Sequence, residues 1–209
     1  MFDSTAILKR MLDVVISLTA IVVLSPVFLF IALVVKLGSR GPVLYISKRA
    51  GRGYKVFSFY KFRTMIADAD KKVELLHQLN RYAALEETPV FFKMANDPRI
   101  TRVGAWLRKT SMDELPQFFN VLLGDMSLVG NRPLPLGEAA ALTTDSWAPR
   151  FMAPAGMTGL WQIKRKLDDQ MSVEKRIRLD IDYANKYNFI YDLWIMANTP
   201  SALIQKSNM

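Results

Sequence analysis

The stretch VVISLTAIVVLSPVFLFIALVV, residues 14–35, decides how this sequence folds. Its 22 residues carry no charge and are bounded by Asp13 and Lys36. About 20 apolar residues suffice to cross the hydrocarbon core of a bilayer, so the run reads as a membrane helix. It exceeds the apolar core of a secretory signal and no A-x-A site follows, so it is expected to be retained. Pro26, near its middle, removes a backbone donor and clashes with the preceding turn, and the Ser25 hydroxyl is placed to bond a carbonyl set free. Basic residues flank both sides, Lys9 and Arg10 before and Lys36, Arg40, Lys48 and Arg49 after, so the positive-inside bias gives no direction of crossing. A helix that enters one leaflet, breaks at Ser25-Pro26 and returns satisfies both observations, with both termini cytoplasmic. A Pro-kinked span satisfies the proline equally well.

Outward from this run, the 209-residue chain holds 28 Lys+Arg against 19 Asp+Glu, no cysteine and the single histidine His77. That length accommodates one globular unit with an appendage, divided as an anchor over 1–38 and a second unit over 39–209. Disulfides, thiolate metal sites, a cysteine nucleophile and a multi-histidine zinc site are excluded, so any metal must be held mainly by oxygen. A net charge of +9 points to an anionic partner: nucleic acid, anionic lipid or a phosphorylated substrate. No nucleic-acid-binding motif is present.

Residues 43–46 and 56–59 are β-prone runs around Ala50-Gly51-Arg52-Gly53 and predict a hairpin. An amphipathic helix is expected over 65–86, carrying His77 as a surface residue, and another over 112–123, ended by Gly124. Pro133, Pro135, Pro149 and Pro154 mark a loop-rich middle. Residues 172–187 read as a charged amphipathic helix, and the uncharged residues 193–205, too few to span, as a segment lying on the membrane or on the domain.

Chemistry concentrates in Asp97-Pro98-Arg99-Ile100-Thr101-Arg102 and in Arg108-Lys109-Thr110-Ser111-Met112-Asp113-Glu114-Leu115-Pro116-Gln117. Ser111-x-x-Glu114 reads as a capping box, with Asp113 and Glu114 in a first helical turn whose free N–H groups also bind phosphate. Adjacent carboxylates among guanidinium groups suit an anionic diphosphate with magnesium, which takes one or two carboxylates plus substrate phosphates. An aspartate, ionised at neutral pH, is then able to attack phosphorus once cations offset the repulsion. Tyr60-Lys61-Phe62-Arg63 and Gly130-Asn131-Arg132-Pro133-Leu134-Pro135 add cations, the latter stiffened by proline.

Together these blocks resemble the bacterial sugar transferase family, the monotopic phosphoglycosyl transferases. The resemblance runs from Ser25-Pro26 through Gly41-Pro42-Val43, Tyr60-Lys61-Phe62-Arg63-Thr64-Met65, the Asp97–Arg102 and Asp113–Gln117 blocks and Gly124-Asp125-Met126-Ser127-Leu128-Val129-Gly130 to Thr158-Gly159-Leu160-Trp161-Gln162. It implies an α+β fold: a re-entrant helix hairpin broken at Ser25 and Pro26, joined to a small, mostly helical cytoplasmic domain with a short β-hairpin and interfacial helices. It implies Asp113 as nucleophile, Glu114 as the second acid of a dyad that holds Mg2+ (Mn2+ as the alternative ion), and Lys61, Arg108 and Arg132 as phosphate-binding cations, to which the local reading of Tyr60-Lys61-Phe62-Arg63 adds Arg63. Asp180 matches a further acidic position. The implied reaction moves a sugar 1-phosphate from a UDP-sugar to a polyprenol phosphate, undecaprenyl phosphate being the expected form, with release of UMP. The implied place is the cytoplasmic face of the bacterial inner membrane, among membrane lipids and without nucleic acid; a homo-oligomer is open. The rival reading is a non-catalytic membrane-anchored scaffold with a basic lipid-binding face. Two departures stand out: Asn131 replaces the family's usual proline before Arg132-Pro133, and Lys164-Arg165-Lys166 replace a small residue, glycine and arginine.

Overall fold

The computed structural model describes residues 4–67, 69, 97–165 and 171–203. Apart from its first residues, the helix expected over 65–86, with His77, lies outside them, as does Lys166. Helices α1 (Ser4–Val23) and α2 (Ser25–Gly38) meet at Leu24 with a bend of 61°. The bend follows from Pro26, which has no N–H to give to the carbonyl of Val22. The Ser25 hydroxyl donates to that carbonyl instead, at 2.8 Å, as its position predicts. No single described helix is long and apolar enough to cross a membrane, whereas the bent pair taken together has the length and composition of a broken span or a re-entrant loop.

Both arms of the pair are tied to the rest of the chain. Arg10 donates to the carbonyls of Val121 (2.6 Å) and Leu122 (2.8 Å), which lie in the last turn of α4 (Gln117–Leu123), where carbonyls are left short of intrahelical donors. Asp13 accepts the Leu128 N–H at 2.9 Å, and Lys9 donates to the Val129 carbonyl at 2.9 Å and to Asp192. On α2, Ile31 and Val35 pack with Phe62 and Leu107, each buried side chain contributing roughly 1.5–3 kcal/mol. The opposite faces, with Met11, Val15, Leu18, Leu29, Phe30 and Leu33, are exposed and apolar.

The predicted hairpin forms with longer strands, β1 (Leu44–Ala50) and β2 (Val56–Phe62), in register from Leu44↔Phe62 to Ala50↔Val56. The loop-rich middle adds structure that the prolines concealed. β4 (Leu134–Pro135) joins the free edge of β1, and β3 (Ser127–Val129) pairs in parallel with β5 (Gly156–Thr158). Between them stand α5 (Leu136–Ala141) and a 3-10 turn over Ala148–Met152. The outer edge of β2 is closed by one side chain: Asn120 of α4 accepts from Tyr60 N–H at 3.1 Å and donates to the Ser58 carbonyl at 2.6 Å. The main core joins Phe57, Phe59, Val121, Leu128, Leu160, Trp161, Tyr183 and Ile195, supplied by both sheets, α4, α6 (Leu160–Lys164), α7 (Val173–Lys186) and α8 (Phe189–Leu203). The charged helix expected over 172–187 forms as α7, capped by Ser172, whose hydroxyl accepts from Lys175 N–H at 3.2 Å.

The capping box does not form. Ser111 adopts a left-handed conformation (φ 56°) and makes no capping bond, and the expected single helix is split. A 3-10 turn over Met112–Glu114 precedes α4, because Pro116 cannot donate within a continuous helix. Gly124 ends α4 in the left-handed region (φ 88°), as expected.

Candidate active site

Asp113 and Glu114 lie on the 3-10 turn between α4 and α3 (Arg102–Lys109). Helix α3 is capped by Thr101, whose hydroxyl accepts from Gly104 N–H at 2.9 Å. Gly104 lies so close to the Thr64 carbonyl that a Cβ there would stand 1.9 Å from its oxygen. This close approach lets Arg108 donate to the Thr64 hydroxyl at 3.0 Å. Upstream, Arg99 and Asp97 form a bidentate pair (2.8 and 2.6 Å) that stiffens the entry to α3.

Lys61, from the end of β2, is the hub of the site. Its ammonium donates to Glu114 Oε1 at 2.5 Å and lies 3.5 Å from Asp113 Oδ2, while Arg132 Nη1 lies 3.9 Å from Glu114 Oε1. Of the helical N–H groups expected to bind an anion, those of Glu114 and Leu115 are spent on the carbonyls of Ser111 and Met112. Cationic side chains supply the positive field instead.

The two acids are held differently. Burial pushes the Asp113 carboxyl up, only partly offset by Lys61, and neighbouring Glu114 pushes it further. For Glu114 burial acts in the same direction, but Lys61 and Arg132 outweigh it and hold the carboxyl at about 2. Glu114 is therefore a fixed anion. Asp113 is the more basic carboxylate, a property that favours attack on an electrophile once it is ionised. Burial lowers the Arg108 pKa, while the charges of Asp113 and Asp97 act to keep it protonated.

Of the residues expected here, the structure brings together Asp113, Glu114, Lys61 and Arg132, with Arg108 on the Asp113 side. Arg63 is elsewhere: its buried guanidinium donates to the carbonyls of Val35 (3.2 Å) and Ser39 (2.7 Å) and tethers the end of α2. Carbonyls at a helix end lack intrahelical donors, so the end of α2 draws the Arg63 guanidinium away from the dyad. Asp180 is buried and pairs with Arg150 in the interior rather than with a cation of the dyad. Arg150 Nη2 also donates to the Arg132 carbonyl at 3.4 Å, so this pair supports the Arg132 loop from behind. Asn131 ties the same loop down, donating to the carbonyls of Arg150 (2.7 Å) and Asp180 (2.9 Å). The missing family proline is thus offset by side-chain hydrogen bonds. Thr64, Asn131 and Arg150 went unread as supports because their partners are 30 or more residues away or lie on main-chain carbonyls, which no local motif announces.

The model of the family described as "Bacterial sugar transferase" matches residues 4–206. This chain belongs to the bacterial sugar transferase family. Among curated relatives, the undecaprenyl-phosphate galactose phosphotransferase of Salmonella typhimurium is 38% identical over 97% of this chain and 42% of its own length. The exopolysaccharide production protein PSS of Rhizobium leguminosarum is 39% identical over 92% of this chain and 93% of its own. The UDP-glucose:undecaprenyl-phosphate glucose-1-phosphate transferase of Escherichia coli is 36% identical over 91% of this chain and 39% of its own. The chain spans well under half the length of several relatives, as the 42% and 39% figures show, and nearly all of others.

Within this bacterial sugar transferase, no cluster of three or more His, Cys, Asp or Glu able to hold a metal occurs among the described residues. Asp113 and Glu114 nevertheless provide two adjacent carboxylates facing one cation, Lys61. Two carboxylates completed by phosphate oxygens are a donor set that magnesium accepts. The residues fit an ion that arrives with, or is completed by, a phosphorylated substrate.

Proposed function

We propose that this protein transfers a sugar 1-phosphate from a UDP-sugar to a polyprenol phosphate, using Asp113 as nucleophile. The observation that carries the reading is the under-compensated Asp113 carboxylate beside Glu114, with Lys61 between them and Arg108 and Arg132 around them. A scaffold that binds lipid headgroups through a basic face gains nothing from two acids placed inside that face.

In the first step an Asp113 oxygen bonds to the sugar-linked phosphorus and the bridging P–O bond breaks, its electron pair leaving with UMP. In the second, a phosphate oxygen of the polyprenol phosphate bonds to the same phosphorus, and the Asp113–phosphorus bond breaks to restore the carboxylate. Asp113 and Glu114 would hold Mg2+, which supplies charge neutralisation at the phosphates. Lys61 keeps Glu114 ionised, and Arg108 and Arg132 face the phosphate oxygens. The relatives' names divide between galactose and glucose, so the sugar is left open.

The membrane arrangement belongs to the same proposal. Lys9, Arg10 and Asp13 on one arm, and Val35 and Ser39 on the other, bond to the same body. Two arms tied to one body support a hairpin that enters and leaves by one leaflet; on this reading the dyad lies at the cytoplasmic surface of the bacterial membrane, where a lipid-linked phosphate is within reach.

The test is mass analysis of purified protein incubated with a panel of UDP-sugars without lipid acceptor. The expected result is UMP release with a phosphosugar increment on the peptide that contains Asp113, absent in Asp113→Asn. Loss of the nucleophile should reduce turnover by at least about 10³-fold. Comparable transfer by Asp113→Asn, or kinetics requiring both substrates to bind before UMP leaves, would defeat the covalent route.

A further inference from the structure

More positive charge lies beside the dyad than its own partners account for. Side chains alternate faces along a strand, and the register Tyr45↔Lys61, Ser47↔Phe59, Arg49↔Phe57 places Arg49 on the sheet face that carries Lys61. Both cations lie against one ring: Arg49 Cζ is 5.3 Å and Lys61 Nζ 5.6 Å from the centroid of Phe59. β4 then pairs with the far end of β1, Arg49 opposite Pro135, and so delivers the Arg132 loop to Arg49.

Lys61 is committed to Glu114 and Asp113. Arg49 is not committed to any acid. Its Nε donates to the Ser47 hydroxyl at 3.2 Å, and no carboxylate among the described residues lies within ion-pair distance. Its terminal nitrogens are not among the buried unpartnered atoms, so they remain open rather than sealed. Burial lowers the Arg49 pKa, and the charge of Arg132 lowers it further, against weaker pulls from Glu138 and Glu114. Glu138 is itself pushed up to about 7 by burial, so near neutrality it gives these guanidinium groups only a partial counter-charge. Two guanidinium groups that oppose each other, with donors left open, are relieved by an anion, and their planar forks match phosphate oxygens.

We infer that Arg49 and Arg132 form an anion subsite beside the dyad, which takes the phosphate of the nucleoside monophosphate as it leaves. The inference rests on the proposed attack of Asp113 on a nucleoside diphosphate sugar. When the bridging P–O bond breaks, its electron pair adds negative charge to the phosphate of the departing nucleotide, and fixed cations stabilise that charge as it develops. Arg132 also reaches toward Glu114 (3.9 Å), which sets the subsite next to the dyad.

The test uses the wild-type protein in detergent, with an arginine-selective dicarbonyl reagent and peptide mass mapping. UMP should slow modification of Arg49 and Arg132, inorganic phosphate should do so less, and uridine not at all. Arg49→Lys and Arg49→Ala should each raise KM for the donor and weaken inhibition by UMP, by about tenfold or more for the alanine variant, the value of one charge-assisted fork of roughly 1.4 kcal/mol. Lys48→Ala removes the same charge from the opposite sheet face, where Lys48 bonds only the Ser58 hydroxyl at 3.0 Å, and should change neither. If Arg49→Ala does not fold, Arg49→Lys and the labelling of wild type decide. Unprotected Arg49 in a wild-type enzyme that does release UMP would overturn the subsite and leave the reaction standing. Equal protection by phosphate and UMP would overturn its assignment to the nucleotide. A wild type that releases no UMP from any donor would overturn the reaction on which the subsite rests.

Discussion

At Arg150–Asp180 one guanidinium meets one carboxylate in the interior, whereas at the dyad one ammonium is divided between two carboxylates. The interior pair is closed, with Arg150 4% and Asp180 2% exposed. Arg150 Nη2 also donates to the Arg132 carbonyl. At the dyad, Lys61 bonds Glu114 closely and leaves Asp113 at 3.5 Å, and Arg132 remains largely open to solvent at 45% side-chain exposure. Burial pushes both aspartates up, but only Asp180 has a cation to itself. Opposite charges thus build a sealed support in one place, with Asp180 Oδ1 buried and unbonded, and a carboxylate only partly compensated by a shared cation in the other. A cation that arrives with the substrate completes the second and has nowhere to go in the first.

The largest effect on stability should come from opening the closed pair. Asp180→Asn leaves Arg150 buried without a counter-charge, which costs roughly 3–5 kcal/mol. Denaturant unfolding in detergent should show that loss, and catalysis should fall with it as the Arg132 loop loosens. An Asp180→Asn protein that unfolds like wild type would erase the distinction between the two corners.

Within the dyad the two acids should respond to substitution with opposite signs. The Glu114 carboxyl, held at about 2 against an ordinary 4.5, stabilises the fold above its unfolded value, and this contribution disappears as pH falls toward about 2. Glu114→Gln should therefore melt below wild type at neutral pH, by about 1.5–3 kcal/mol for a charge-assisted bond. The gap should shrink as the solution is acidified through that window. Asp113 is raised, so its folded form binds the proton more tightly and stability falls as pH rises through its ordinary value toward its folded one. Asp113→Asn should accordingly melt at or above wild type at neutral pH while losing activity. Parallel melting shifts for the two variants across pH 2–7 would show that the dyad does not divide its burden this way.

These contrasts were only partly legible in the sequence. The bend at Ser25-Pro26, the hairpin and the Gly124 stop depend on neighbours within a few residues, and local rules found them. The company of Asp113, Glu114, Lys61 and Arg132 came from the resemblance, since Lys61 and Glu114 lie 53 positions apart. Local reasoning misread Ser111-x-x-Glu114, because a capping pattern says nothing of the proline two residues after Glu114 that divides the helix. It also placed Arg63 with the phosphates: a basic residue two positions after Lys61 reads like a ligand until its carbonyl acceptors at the end of α2 are visible. The value of Asn131 was similarly hidden, because its two acceptors are main-chain oxygens brought close by folding.

The smallest effect should come from the bend itself, and its size follows from the tethers. Pro26→Leu restores an N–H for the Val22 carbonyl and so favours a straighter helix. Straightening fully would require one arm to leave the body, breaking either the Arg10 bonds to Val121 and Leu122 or the Arg63 bonds to Val35 and Ser39. Several hydrogen bonds to charged groups, each worth about 1.5–3 kcal/mol, oppose the change, so only a minor straightened population is expected. The chain has no cysteine, so Ser4→Cys offers a single reactive position for an impermeant reagent applied outside the cytoplasmic membrane. In an otherwise unchanged chain it should stay unlabelled. Pro26→Leu should label it weakly, and Pro26→Leu combined with Arg10→Ala more strongly, because the second change releases the arm that the first has straightened. Labelling of Ser4→Cys without either change would refute the re-entrant hairpin. Equal labelling with and without Arg10→Ala would show that the tether on α1 does not govern the path of the anchor.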